Sequence, residues 1–321
     1  MKYGLMSGIL WAIDTVILGV ALSMGIYATN VHAALVSATF HDVFAALILL
    51  VYMSARGRLA QTVGAIKTPN GKMVMLGALL GGPIGMSGYL AAIEHIGAGY
   101  TAAISAFYPA VGAFLAVVIL KEKMKPKQVV MLLVALFAIV FMGWLTTSFD
   151  TSGNPLIGIA CASLCVVGWG SEAVLLAWGM KGTDVDPDIA LQIRETTSAL
   201  TYALIVVPLT GSVASCIRIA FTPENGVVAL AALAGVASYL AYYKAINCIG
   251  AARGMALNIS YAAWAVLISA LVMRAVPSPW ALLCCVLIIV GTTFSASPDW
   301  SELDFTKPHH STNSGEQQRL L

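Results

Sequence analysis

Tyr89-Leu90-Ala91-Ala92-Ile93-Glu94-His95-Ile96-Gly97-Ala98 recurs 153 residues later as Tyr242-Tyr243-Lys244-Ala245-Ile246-Asn247-Cys248-Ile249-Gly250-Ala251. The same offset lays Tyr108 on Tyr261 and Pro126 on Pro279, and without a gap 10 of the 38 positions from 89 to 126 are identical. Two unrelated Ala-rich segments seldom agree that well, so the chain reads as an internal duplication. A second match sets Trp11-Ala12-Ile13-Asp14 against Trp169-Gly170-Ser171-Glu172 at an offset of 158, which calls for a five-residue length change in a loop between the two matches.

The composition says where such a duplication lives. Hydrophobic residues make up 59% of the 321 and charged residues 10%, against about 25% charged in soluble domains. This is the profile of a polytopic membrane protein with no soluble domain. The first apolar run starts almost at Met1, holds Asp14 and lacks a small-residue cleavage site, so it is expected to stay as a spanning helix. Six cysteines fall mostly within apolar stretches without metal-ligand spacing and read as small buried hydrophobes. No cofactor or metal centre is expected. The spacing of apolar runs predicts ten spanning helices near 5–27, 33–54, 73–95, 98–120, 128–147, 156–179, 188–209, 226–248, 252–274 and 279–297.

Ten spans and one duplication give five spans per copy. An odd number forces the second copy to enter the membrane from the opposite side, the inverted-repeat architecture of secondary transporters. The expected fold is therefore all-α and integral to the membrane, with a first repeat over 1–147 and a second over 156–297. A polar stretch over 298–321 contains His309 and His310 and reads as a solvated, disordered end. Arg56, Arg58, Lys67 and Lys72 follow span two, and Lys121, Lys123, Lys125 and Lys127 follow span four. The opposite loops near 28–32, 96–97 and 148–155 carry no Lys or Arg, and only Arg218 and Arg274 break the pattern. Both termini are thus expected in the cytoplasm, with the chain in the cytoplasmic (inner) membrane.

Glu172 stands inside the apolar run from Pro155 to Met180. An acid at that depth costs a few kcal/mol, about 2.5 to 3.5 on insertion scales, and marks a functional site by default. Trp169 lies three residues before it on the same helix face, about 21 Å along from Pro155 and deeper than the interfacial belt. Asn258, Tyr261 and Trp264 follow one another at i+3 steps in span nine, and Tyr239 precedes Tyr242 and Tyr243 in span eight. Trp11 and Tyr108 hold the equivalent places in the first half. Such rows also arise from ordinary core packing, yet two matched Trp/Tyr sets around one carboxylate make a box suited to a methylated cation. Aromatic faces attract cations that have no N–H to donate, each worth about 0.5 to 2 kcal/mol.

Other polar residues admit two readings. Asp14 shares a face with Trp11 and is a candidate for coupling, or else pairs with Arg253 or Lys244. His41-Asp42 suits proton coupling, or else forms a hydrogen-bonded pair fixing two helices. Arg194 and Glu195 are placed near the cytoplasmic start of span seven, where pairing or snorkelling accounts for them. Pro83 and Pro109, with Gly81, Gly82 and Gly85, mark candidate hinges inside helices.

At these residues the chain resembles the drug/metabolite transporter superfamily with EamA-type repeats. More closely, Gly77-Ala78-Leu79-Leu80-Gly81-Gly82-Pro83-Ile84-Gly85-Met86, Trp169-Gly170-Ser171-Glu172, Ser238-Tyr239-Leu240-Ala241-Tyr242-Tyr243 and Leu257-Asn258-Ile259-Ser260-Tyr261-Ala262-Ala263-Trp264 are similar to the bacterial LicB-type choline permeases. The resemblance runs through nearly all ten spans and stops before the polar end. It implies uptake of choline through an aromatic cage, driven by membrane potential or a proton. Trp11, Tyr108, Trp169, Glu172, Tyr239, Tyr261 and Trp264 match the pattern, while Asp14 departs from it and leaves room for an altered substrate or coupling. The expected partners are a choline-like cation and the lipid bilayer, not nucleic acid. An exporter of amino acids, metabolites or lipophilic cations in the same fold is the alternative. An enzyme is not expected, because the sequence has no metal-ligand cluster, nucleophile constellation or phosphate-binding loop.

Overall fold

The computed structural model describes residues 1–146, 153–274 and 276–299, and over these the chain is helical with no strand. The expectations for His309, His310 and the rest of the stretch beyond 299 lie outside the described residues. Helices α1 (Lys2–Leu22), α2 (Ala33–Ala55) and α3 (Pro69–Leu79) open the chain. A π-helical turn, Leu80–Gly85, joins α3 to α4 (Met86–Ser105), and α5 (Tyr108–Ile119) and α6 (Pro126–Thr146) follow. Next come α7 (Pro155–Gly179) and α8 (Pro187–Thr201), the latter running on into a second π-helical turn at Tyr202–Val206. The last four long elements are α9 (Pro223–Ile249), α10 (Ala251–Asn258), α11 (Tyr261–Met273) and α12 (Pro279–Ala296). Short helices at Gly25–Ala28, Leu59–Ile66 and Val213–Ile219 fill connections.

Local sequence sets many of these boundaries. Thr68-Pro69, Asn154-Pro155, Asp186-Pro187, Thr222-Pro223 and Ser278-Pro279 each place a capping side chain on the free N–H groups of the first turn, with a proline just inside the helix. That pairing suits a helix start, since the proline has no N–H to leave unsatisfied there and its φ is already helical.

Among the described residues, eight helical stretches are long and apolar enough to cross a membrane. The ten expected spans differ from these eight for two physical reasons. Expected spans three and four meet at the non-helical Gly97 inside the stretch Pro69–Ser105, which counts once by length, and α5, which completes span four, is a shorter apolar helix. Expected span seven carries Asp188, Arg194 and Glu195 on α8, which is too polar to rank with the others. Pro83 sits inside the first π-helical turn as a true interruption. Pro109 instead lies in the first turn of α5, so the hinge expected there is a helix start. Cys165, Cys284 and Cys285 are buried, but Cys248 is exposed, contrary to a uniform core reading.

The offset of 153 reappears in the backbone. Gly97 (φ 76°, ψ 163°) interrupts α4, and Gly250 (φ 90°, ψ 164°) separates α9 from α10 with nearly the same unusual conformation. A side chain would strain either position. Lys121 (φ 59°) and Arg274 (φ 52°) are the two non-glycine residues with positive φ among those described, and they too stand 153 apart. Helix α4 ends at Ser105 and α5 begins at Tyr108; α10 ends at Asn258 and α11 begins at Tyr261. Packing follows the same exchange. Helix α1 lies along α9 and α4 lies along α7, while α1 also meets α11 as α7 meets α5. Helices α2 and α8 pack together, as do α6 and α12.

Candidate functional site

A cavity of about 380 Å³ opens between α1, α2, α4, α7, α8, α9 and α11. Its wall includes Trp11, Tyr108, Trp169, Glu172, Tyr239, Asn258 and Tyr261, all expected from sequence, together with Asp14, His41 and Asp42. Trp264, the eighth expected binding residue, does not line it. Trp264 stands one turn further along α11 than Tyr261, the last residue of that helix in the wall. Tyr89, Tyr202, Tyr242 and Arg194 line the wall as well and had not been singled out as binding residues.

The aromatic rings form two sets. On one side Tyr89 stacks on Trp169 at 5.5 Å between centroids, and Tyr108 meets the same indole edge-on at 5.7 Å. On the other side Trp11 meets Tyr239 at 4.8 Å and Tyr261 at 6.5 Å, both edge-on. The Trp169 indole donates to the Gly81 carbonyl at 3.0 Å, and the Tyr202 hydroxyl donates to the Gly82 carbonyl at 3.3 Å. The π-helical turn thus presents two carbonyls to side chains of α7 and of the segment following α8. Interrupted membrane helices commonly have their backbone groups satisfied in this way.

Glu172 is not an isolated charge. Arg194 donates from Nε to its carboxylate at 2.9 Å and from Nη1 to Glu195 at 3.0 Å, with Asp42 3.7 Å away. The guanidinium carbon also stands 4.9 Å from the Tyr239 ring centroid. Of the two readings for Arg194 and Glu195, mutual pairing holds and snorkelling is corrected. Both are buried, because acids from α2 and α7 converge on the guanidinium and leave it no need to reach water.

Asp14 resolves just as definitely. Its carboxylate faces His41 Nε2 at 3.2 Å, while Nδ1 of the same ring faces Asp42 at 3.4 Å. Neither alternative partner is used: Lys244 faces Asp188 at 3.8 Å, and Arg253 donates to the Ala296 carbonyl at 2.6 Å. Ser198 donates to Asp42 at 2.6 Å. One buried chain therefore runs Asp14–His41–Asp42–Arg194–Glu172 from α1 across α2 and α8 to α7. It holds the carboxylates Asp14, Asp42, Glu172 and Glu195 against one guanidinium and one imidazole. Carboxyl groups thus outnumber the basic groups in this set by four to two.

Two glycines make room for this chain. A Cβ on Gly81 would collide with the Glu172 carboxylate, and one on Gly235 would meet His41 Nε2 at 2.9 Å. Asn258 belongs to a separate polar contact, donating from Nδ2 to the Ser7 hydroxyl at 3.2 Å.

Comparison with known proteins agrees with this architecture. Residues 2–144 match the EamA-like transporter family. Protein LicB of Haemophilus influenzae (strain ATCC 51907 / DSM 11121 / KW20 / Rd) is 28% identical over 216 residues, covering 67% of this chain and 72% of that protein. A solved crystal structure, 17% identical, superposes with a TM-score of 0.69 over 92% of this chain and 95% of its own, which speaks to the fold alone. The class is thus a multi-pass membrane protein with an EamA-like transporter domain over its first half. Within that class the first half of the chain matches the EamA-like transporter model, and the chain is similar to LicB over most of its length.

Proposed function

We propose that this transporter imports choline or a closely related quaternary ammonium compound across the cytoplasmic membrane by alternating access. The observation that carries the reading is one cavity holding two facing aromatic sets and an excess of buried carboxylates. Its volume falls within the range of small-molecule sites, about 300 to 1,000 Å³. A methylated ammonium ion offers no hydrogen-bond donor to the acids, so ring faces and a surplus of carboxyl groups recognise it better than a directed hydrogen bond does. The resemblance to the choline permeases points the same way.

The moving parts are two inverted five-helix repeats, 1–147 and 156–297, in a ten-span chain with both termini in the cytoplasm. The matched backbone at Gly97 and Gly250 and the exchanged packing pairs support this division. The cavity reaches Leu18 and Leu22 at the end of α1 and Ala34 and Ser37 at the start of α2. In the proposed orientation that end faces outward, as a state ready to load substrate would. The Asp14–His41–Asp42 contacts supply a candidate route for a coupled proton, with membrane potential as the other driving force.

Radiolabelled choline uptake into proteoliposomes, with and without an imposed potential or pH gradient, tests the reading. Saturable uptake competed by other quaternary ammonium compounds is expected. Its absence under every gradient would sink the proposal.

A further inference from the structure

Arg194 is the one lysine or arginine in the cavity wall among the described residues, and its contacts are those of a bound organic cation. The guanidinium lies against the Tyr239 ring at 4.9 Å, donates to Glu172 at 2.9 Å, and reaches the Tyr239 hydroxyl from Nη2 at 3.4 Å. It therefore occupies the carboxylate and one of the rings that a transported cation would use. On its other side stand Glu195 and Asp42, at 3.0 and 3.7 Å from Nη1. Glu195 Oε2 is buried with no hydrogen-bond partner among the described residues. An unsatisfied buried carboxylate oxygen is costly, and here it lies beside a guanidinium with five N–H donors in a planar fork.

We propose that Arg194 is a tethered competitor for the transported cation: it holds Glu172 and Tyr239 before substrate binds and turns onto Glu195 when substrate arrives. The inference rests on reading the cavity as a cation site. Exchange of one cation for another at Glu172 leaves no buried carboxylate bare, because the Glu195 oxygen receives the fork as the methylated ammonium takes its place. A neutral molecule offers no such exchange. When the substrate leaves, the Arg194–Glu172 contact re-forms and again ties α8 to α7, so the same residue that limits affinity also assists release.

Binding of radiolabelled choline and tetramethylammonium to the purified full chain, with thermal unfolding to check the fold, provides the test. Arg194→Gln is expected to bind both cations about tenfold more tightly, on the scale of close charge-pair couplings. That gain should vanish in the Glu172→Gln background, whereas a general change in site potential would persist there. Glu195→Gln removes the alternative partner and is expected to weaken binding severalfold. Arg194→Lys lacks the planar fork and should show an intermediate gain, which decides the matter if Arg194→Gln does not fold. Unchanged or weaker affinity in a folded Arg194 variant, a gain that survives Glu172→Gln, or an indifferent Glu195→Gln overturns the inference. Wild-type protein that binds neither cation overturns the cation-site reading itself.

Discussion

The indole N–H of Trp169 donates to the carbonyl of Gly81 across 3.0 Å, joining α7 to the π-helical turn that interrupts the stretch from Pro69 to Ser105. The same ring carries Tyr89 on one face and Tyr108 at its edge. One residue thus fixes the turn that Glu172 packs against and supplies part of the aromatic wall. The two roles separate by substitution. Trp169→Ala removes both and is expected to weaken choline binding by about 1 to 2 kcal/mol from the desolvated cation–π contribution, with loss of thermal stability as well. Trp169→Phe keeps a ring but abandons the Gly81 carbonyl, so stability should fall with a smaller change in affinity. Equilibrium binding and thermal unfolding of the two variants check the split.

Tyr261 lies on the opposite side of the cavity, 6.5 Å from Trp11 between ring centroids, and only its ring is needed there. Tyr261→Phe is expected to bind choline as the wild type does, while Tyr261→Ala should lose about 1 to 2 kcal/mol on the same cation–π scale. Equal affinity in all three proteins, measured by isothermal titration, would remove this ring from the cage.

These two ring sets were legible in the sequence, because helical spacing and the repeat offset are properties of the chain itself. Trp11, Tyr108, Trp169, Tyr239 and Tyr261 were found that way, and each faces the cavity. Trp264 shows the limit of the rule: spacing fixes a face, but not how far along the helix the cavity extends. Tyr89 belongs with those rings, since the offset places it under Tyr242, but the acid on its own helix, Glu94, stands five residues on and so off its face. The ion-pair chain was less accessible. His41, Asp14, Arg194 and Glu172 come from four helices, and their pairing follows from how α1, α2, α7 and α8 converge. Nothing in local spacing distinguishes Lys244 from His41 as the partner of Asp14. Two expected breaks were visible for a similar local reason, since Gly97 and Gly250 sit where the repeat and the polar edges both fall.

Gly81 allows the Glu172 carboxylate to approach the backbone of the π-helical turn, in space that a methyl group would fill. Arg194 holds that carboxylate in place, so the side chain cannot swing away without breaking the pair. Gly81→Ala is therefore expected to destabilise the protein by about 1 to 3 kcal/mol, the usual range for overpacking, and to lower choline affinity together with stability. Gly64→Ala, on a short helix with open space around the new methyl group, serves as the control and should leave affinity unchanged and stability equal or slightly raised. Parallel unfolding curves for the two alanine variants would contradict the steric argument.

Asp188 at the start of α8 gathers a second ionic cluster at the far end of α2 from the cavity mouth. Its Oδ2 receives Arg56 at 3.1 Å, Tyr52 at 3.3 Å and Arg58 at 3.4 Å, and its Oδ1 lies 3.8 Å from Lys244 on α9. Arg58 also pairs with Asp186, the residue that caps α8. The carboxylate is buried, whereas Arg56 and Lys244 are 49% and 40% exposed, so solvent screens part of each attraction. Removing the shared acid leaves Arg56 and Arg58, just past the end of α2, and Lys244 on α9 without their common counter-charge, with Arg58 still paired to Asp186. Asp188→Asn should then cost about 1 to 3 kcal/mol, below the full penalty for breaking a buried pair because of that screening. Since the cluster ties together the helix ends opposite the cavity mouth, the same variant should expose them. Hydrogen–deuterium exchange is expected to rise at Tyr52–Arg58 and Asp186–Ile189 and to stay constant around Trp11, whereas a uniform rise would mean general loosening instead of release of one closed end.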